Sequence, residues 1–193
     1  MDVTCAILSG GRSRRMGHDK ATALIGDKSL VKHAYGIARK VFAKIIVVSS
    51  RHASIEGVDV PIVADFLPVP GSITGIVSAL LYADTPYVFV LGCDMPFVTP
   101  EAISCVLDAL GGQDVVIPRT EGGLEPMHAL YARSCISPML SAIEHRRMKV
   151  IDLFPYLSVK ILPSCPLFKR NGISVFDNVN TEEDLRRAER LLS

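Results

Sequence analysis

The stretch LSGGRSRRMGHDK, from Leu8 to Lys20, sets two glycines ahead of Arg12, Arg14, Arg15 and Lys20, directly behind the apolar run VTCAIL that begins at Val3. Glycine lets successive backbone N–H groups approach an anion closely, and the guanidinium and ammonium groups bring charge to the same place. Phosphate is the ligand this combination suits. The spacing is not that of the two commonest phosphate loops. Gly11 and Gly17 enclose five residues and His18 follows, where a Walker A loop needs four and then Lys with Ser or Thr; G-x-G-x-x-G is absent as well. A P-loop NTPase and a dinucleotide-dependent dehydrogenase are thereby demoted. Read without chemistry, the stretch is a tight turn followed by a solvated basic loop.

Two carboxylates strengthen the chemical reading. Asp65 ends the run VPIVAD and Asp94 ends YVFVLGCD. Phosphates attract a hard cation, and Mg²⁺ commonly takes one or two carboxylates together with phosphate oxygens and water. Asp94, in Cys93-Asp94-Met95-Pro96, is the candidate ligand, its alternative being a turn former ahead of Pro96. Asp65 could equally make an Asx-turn. Gly71-Ser72-Ile73-Thr74-Gly75 opens a helix with small residues that would let a planar base lie against the backbone, although Gly71 and Ser72 could serve simply as loop and cap.

No Ser-His-Asp or Cys-His constellation stands out. His18, His33, His52, His128 and His145 show no metal-ligand spacing, so surface or core roles are expected of them. The run Glu144 to Lys149 reads as the solvated, cationic end of a helix.

Those groups need elements to position them. Val- and Ile-rich runs alternate with segments of helical period, the signature of βαβ units around a mainly parallel sheet. Strands are expected from Val3, Lys44 (KIIVVSS), Val60 (VPIVAD), Tyr87 and Asp114 (DVVIPR), covered on both faces because they are apolar at nearly every position. Helices are expected from Ser29 to about Phe42, Ser72 to Tyr82, Pro100 to Leu110, Cys135 to Glu144 and Thr181 to Leu192. Thr99 caps the third, and Asn180 or Thr181 the last. EGGLEPMHALYA reads as a turn feeding a strand, and the stretch from Leu162 to Asn180 as a loop with short extended pieces. In a parallel sheet, ligands bind at the C-terminal edge of the strands, where the glycine loop, Asp65 and Asp94 all fall.

With 193 residues and 49% hydrophobic content, the chain suits one core and one domain spanning 1–193. The 21 basic and 20 acidic residues nearly cancel, so no global field draws it to nucleic acid or to an anionic membrane. No long apolar segment is present, and a cytoplasmic protein is expected. Five scattered cysteines without a C-x-x-C pair argue against a disulfide framework or a zinc knuckle.

Taken in order, the pieces resemble the molybdenum cofactor guanylyltransferases, within the wider group of nucleotidyltransferases with a Rossmann-like fold. The resemblance runs nearly end to end: LSGGRSRRMGHDK is similar to L-A-G-G-x-x-R-R-M-G-x-D-K, GSITG to G-P-L-A-G, EPMHALY to Q-P-x-x-A-L-Y and FDNVNTEEDL to F-x-N-V-N-T-P-E-D-L, with CDMPF between them. It implies a three-layer α/β/α fold whose mainly parallel sheet gains some antiparallel pairing in the C-terminal half.

It also implies that Leu8, Ser9, Gly10 and Gly11 contact GTP through the backbone, with Lys20 on its phosphates. Asp65, Gly71, Thr74 and Gly75 would complete the nucleotide site, Asp94 would bind Mg²⁺, and Asn178 and Asn180 would meet the pterin, although Asn180 could equally be a helix cap. Ser72-Ile73-Thr74 departs from the family's Pro-Leu-Ala where the base would be read. Val48, Ser49 and Ser50 stand where relatives can carry a nucleotide-binding Asn. The implied reaction is attack by the terminal phosphate of molybdopterin on the α-phosphorus of GTP. Arg12, Lys20 and Asp94 would stabilise charge, and molybdoenzymes or their chaperones would receive the product. The alternatives are a related enzyme using CTP or another phosphorylated acceptor, and a non-catalytic nucleotide-binding partner.

Overall fold

The computed structural model describes residues 2–9, 23–49, 54–65, 67 and 71–192. Its strands are β1 (Val3–Leu8), β2 (Leu24–Ile25), β3 (Lys28–Ser29), β4 (Lys44–Val48), β5 (Ile62–Val63), β6 (Tyr87–Gly92), β7 (Val115–Thr120), β8 (Gly123–Leu124), β9 (His128–Ala132), β10 (Val159–Leu162), β11 (Lys169–Arg170) and β12 (Ile173–Ser174). The α-helices are α1 (Leu30–Ala38), α2 (Ser72–Tyr82), α3 (Pro100–Asp108), α4 (Ile136–Glu144) and α5 (Glu182–Leu192).

The main sheet runs β10-β7-β9-β6-β1-β4-β5, with β8 added to β7 as a hairpin. β6, β1, β4 and β5 are parallel, while β9 lies antiparallel between β6 and β7. The expected mixture of pairings is therefore present, and EGGLEPMHALYA supplies its antiparallel part. Alternation along β1 builds the layers. Val3, Cys5 and Ile7 face a core shared with Val31 and Ala34 of α1 and Ile103 and Val106 of α3. Ala6 and Leu8 face the opposite core, with Ile73 and Ile76 of α2 and Met139 and Ala142 of α4.

Several boundaries differ from the sequence reading. VPIVAD contributes only Ile62 and Val63, because the strand lies at the sheet edge and Pro61 has no N–H to give to a ladder. The second strand stops at Val48, and Ser50 lies outside the described residues. α1 ends at Ala38; Lys40 and Val41 then donate to Ile37 and Ala38 in a tighter turn that carries Phe42 back against Phe89, ring centroids 5.4 Å apart. α4 starts one residue late, at Ile136, after the 3₁₀ segment Arg133–Cys135.

α5 begins with a reciprocal cap. Asp184 N–H donates to Thr181 Oγ1 at 3.1 Å, and the Asp184 carboxylate accepts from Thr181 N–H at 2.8 Å and Asn180 N–H at 2.9 Å. The bond from Asn180 foremost holds that carboxyl below the usual carboxylate range. Thr181 rather than Asn180 is thus the cap. Thr181→Ala is expected to cost about 1 kcal/mol and lower Tm by about 3 °C, read by thermal unfolding.

Candidate functional site

The parallel strands end in one row. Leu8 of β1 lies opposite Gly92 of β6 and Val48 of β4, and Val48 opposite Val63 of β5. Backbone bonds extend the ladder one residue further: Cys93 N–H to Leu8 O at 3.2 Å, Ser9 N–H to Val48 O at 2.9 Å and Ser49 N–H to Val63 O at 2.9 Å. Leu8 and Ser9 are buried, and Ser9 Oγ has no hydrogen-bond partner among the described residues. Gly10, Gly11, Arg12 and Lys20 lie outside the described residues.

Asp94 stands half-buried in the turn that follows β6. Its Oδ1 occupies the space above Gly92: a Cβ built there would meet it at 2.8 Å, and would crowd Met127 Cβ at 3.3 Å. The missing side chain lets the carboxylate fold back over the strand end. Gly92 N–H also donates to Met127 O at 2.8 Å, tying this end of β6 to the segment that enters β9.

The C-terminal segment is fastened to the same turn. Val179 N–H donates to Asp94 O at 2.8 Å, and the Val179 side chain is buried with Leu30, Phe97 and Ala188. Asn178 and Asn180 flank that anchor and are both exposed. One backbone bond thus brings the candidate metal ligand and the two asparagines together, an association that a separation of more than eighty positions hides from local sequence patterns.

Asp65 lies two residues beyond β5, against the first turns of α2. Ser78 Oγ donates to its Oδ1 at 2.9 Å, and Thr74 Oγ1 lies 3.3 Å from its Oδ2 and 2.7 Å from Gly71 O. Thr74 is wholly buried, so its hydroxyl reaches the site only through Asp65. Gly71 rather than Ser72 is the N-cap residue of α2. Gly75 works by close approach: a Cβ there would come within 3.1 Å of Leu8 Cδ1, so glycine lets α2 lie directly against the end of β1. Ser78 had no signal of its own in the sequence, because a small polar residue four positions after Thr74 acquires meaning only once Asp65 is seen above the helix.

Two titratable groups lie at the entry to β9. Glu125 accepts from Thr120 Oγ1 at 2.9 Å, and burial pushes its carboxyl above the usual range. His128, expected at the surface or in a core, is in the core. Its ring lies edge-on to Phe89 at 5.0 Å and tilted against Phe176 at 4.9 Å, and neither nitrogen has a hydrogen-bond partner among the described residues. Burial lowers its pKa to about 4, opposed weakly by the nearby Ala102 backbone.

Among the described residues no group of three or more His, Cys, Asp or Glu could hold a metal ion as a protein cage. Mg²⁺ needs none when phosphate oxygens and water complete its shell, and a half-buried carboxylate beyond a parallel strand suits that mode. No helix among the described residues is long and apolar enough to cross a membrane.

Residues 5–154 match the model of the MobA-like NTP transferase domain. A probable molybdenum cofactor guanylyltransferase from Pelotomaculum thermopropionicum is 33% identical over 189 residues, covering 97% of this chain and 92% of the relative. The molybdopterin-guanine dinucleotide biosynthesis protein A of Archaeoglobus fulgidus, a solved structure, aligns over 98% of both chains with a TM-score of 0.81 and 28% identity. A cytidylyltransferase from Thermus thermophilus, 2-C-methyl-D-erythritol 4-phosphate cytidylyltransferase, shares the fold at a TM-score of 0.72 and 14% identity, over 100% of this chain and 99% of the other.

Proposed function

Because the chain belongs to the MobA-like NTP transferase family and, within it, to the molybdenum cofactor guanylyltransferases, we propose that it transfers GMP from GTP to the terminal phosphate of molybdopterin, forming molybdopterin guanine dinucleotide and releasing pyrophosphate. The observation that carries this reading is the bond from Val179 N–H to Asp94 O, which joins the strand edge suited to a nucleotide to the Asn178–Asn180 segment suited to a second substrate.

The oxygen of the molybdopterin phosphate attacks the α-phosphorus of GTP in line, and the bond to the β-phosphate bridging oxygen breaks as pyrophosphate leaves. The nucleophile is already an anion, so no side chain has to remove a proton. What the chain must do is hold two polyanions in line and offset the charge that develops between them. Gly10 and Gly11 donate backbone N–H groups to the phosphates, and Arg12 and Lys20 neutralise the triphosphate and the leaving pyrophosphate. Asp94 is the residue that would hold Mg²⁺, which when bound supplies charge neutralisation between the phosphates. Leu8 and Ser9 place the nucleotide against the strand end, with Asp65 and the Gly71–Gly75 turn beside the nucleoside. Asn178 and Asn180 meet the pterin. In this division the N-terminal half binds nucleotide and the C-terminal half binds acceptor. The reactants are water-soluble metabolites, the proposed compartment is the cytoplasm, and the product passes to molybdoenzymes or their chaperones.

Thermal unfolding with Mg²⁺ and each nucleotide in turn tests the base. A ligand at one hundred times its Kd adds about 2.7 kcal/mol, so GTP is expected to raise Tm by several degrees while CTP, ATP and UTP do not. Selective stabilisation by CTP would assign the chain to a cytidylyltransferase instead.

A further inference from the structure

Asp65 is held, not merely present. Its two carboxylate oxygens are engaged separately, Oδ1 by Ser78 at 2.9 Å and Oδ2 by Thr74 at 3.3 Å, from positions four apart on one face of α2. Both hydroxyl residues are wholly buried, whereas Asp65 is half-exposed. Thr74 has a single proton and a shorter bond available to Gly71 O at 2.7 Å, so Ser78 is the principal donor and Thr74 the secondary one.

A carboxylate gripped in this way has lost rotational freedom before any ligand arrives, and each oxygen keeps a lone pair beyond the one its hydroxyl partner engages. Such a group accepts from hydroxyl or N–H donors and repels phosphate. We propose that Ser78, supported by Thr74, is a positioning residue that presets Asp65 to receive the hydrogen-bond donors of the nucleoside, either ribose hydroxyls or base N–H groups, rather than the triphosphate. The proposal rests on the nucleotide-binding reading above, in which Asp65 lies beside the nucleoside, and adds to it the residues that aim that carboxylate.

The test is steady-state kinetics with GTP, 2′-deoxyGTP and inosine triphosphate on the full chain. Ser78→Ala is expected to raise the GTP KM about tenfold with kcat changed less than about twofold, as preorganisation of one charged hydrogen-bonding group predicts. Thr74→Val should raise it about threefold and Thr74→Ser should restore it. In an Asp65→Ala background, Ser78→Ala should add nothing, because it acts only through that carboxylate. Loss of the Ser78 effect with 2′-deoxyGTP assigns the donor to the ribose, and loss with inosine triphosphate assigns it to the base amine. A Ser78→Ala enzyme with wild-type KM, or one whose effect persists without Asp65, overturns the positioning role while leaving the guanylyltransferase reading intact. Failure of the wild-type chain to saturate with GTP overturns that reading itself.

Discussion

Asp94→Asn is expected to lower kcat by about a hundredfold at saturating GTP and Mg²⁺, on the order of 3 kcal/mol of barrier, with little change in Tm. The two effects separate because different atoms of one residue do the two jobs. The backbone carbonyl of Asp94 anchors Val179 and with it the start of α5, and this survives the substitution. The carboxylate, folded over Gly92, carries the charge that a cation among phosphates requires, and an amide cannot supply it. Kinetics across a Mg²⁺ titration, alongside a melting curve, measure both. Near-normal turnover in saturating Mg²⁺ would show that Asp94 is not the metal ligand.

The second large effect is on acid stability. Burial holds the His128 pKa at about 4, against an ordinary value near 6.5 in the unfolded chain. Between those values the unfolded state binds a proton that the native state refuses, so stability rises with pH. This contribution is fully present above pH 6.5, is lost as pH falls toward 4, and amounts to about 3 kcal/mol over that window. His128→Leu removes the titration together with two buried nitrogens that lack partners among the described residues. At pH 7 the variant should be at least as stable as the wild type. From pH 6.5 to 4 its lead should grow by about 3 kcal/mol in urea unfolding. Parallel stability curves for the two proteins would show that His128 titrates alike folded and unfolded.

The sequence carried the frame of this site well and its cross-links poorly. VTCAIL and YVFVLGCD are apolar at nearly every position because both faces of β1 and β6 are covered, and that pattern also places Leu8 and Asp94 at one edge. Thr99-Pro100 and Thr181 to Asp184 are local signals with local physics, and helices start where they say. VPIVAD looked as apolar as the other runs, yet edge position and Pro61 cut it to two residues, a matter of neighbours rather than composition. Asn180 and Thr181 are both good caps in isolation; the choice between them fell to the Val179 anchor, which fixes where the chain enters α5. Ser78, Gly92 and Met127 carry no signature at all. Their roles come from contacts with Asp65 and Asp94, formed across elements after the sheet is assembled.

The proposed reaction is transfer of a nucleotidyl group to a phosphorylated pterin. It is tested most directly by incubating the chain with Mg²⁺, molybdopterin and GTP labelled at the α-phosphorus, and separating the products. Label is expected in a pterin dinucleotide with one equivalent of pyrophosphate released per transfer, and neither should form when molybdopterin is left out. Tight GTP binding with no label transferred to molybdopterin would contradict it and would make the chain a nucleotide-binding partner rather than the transferase.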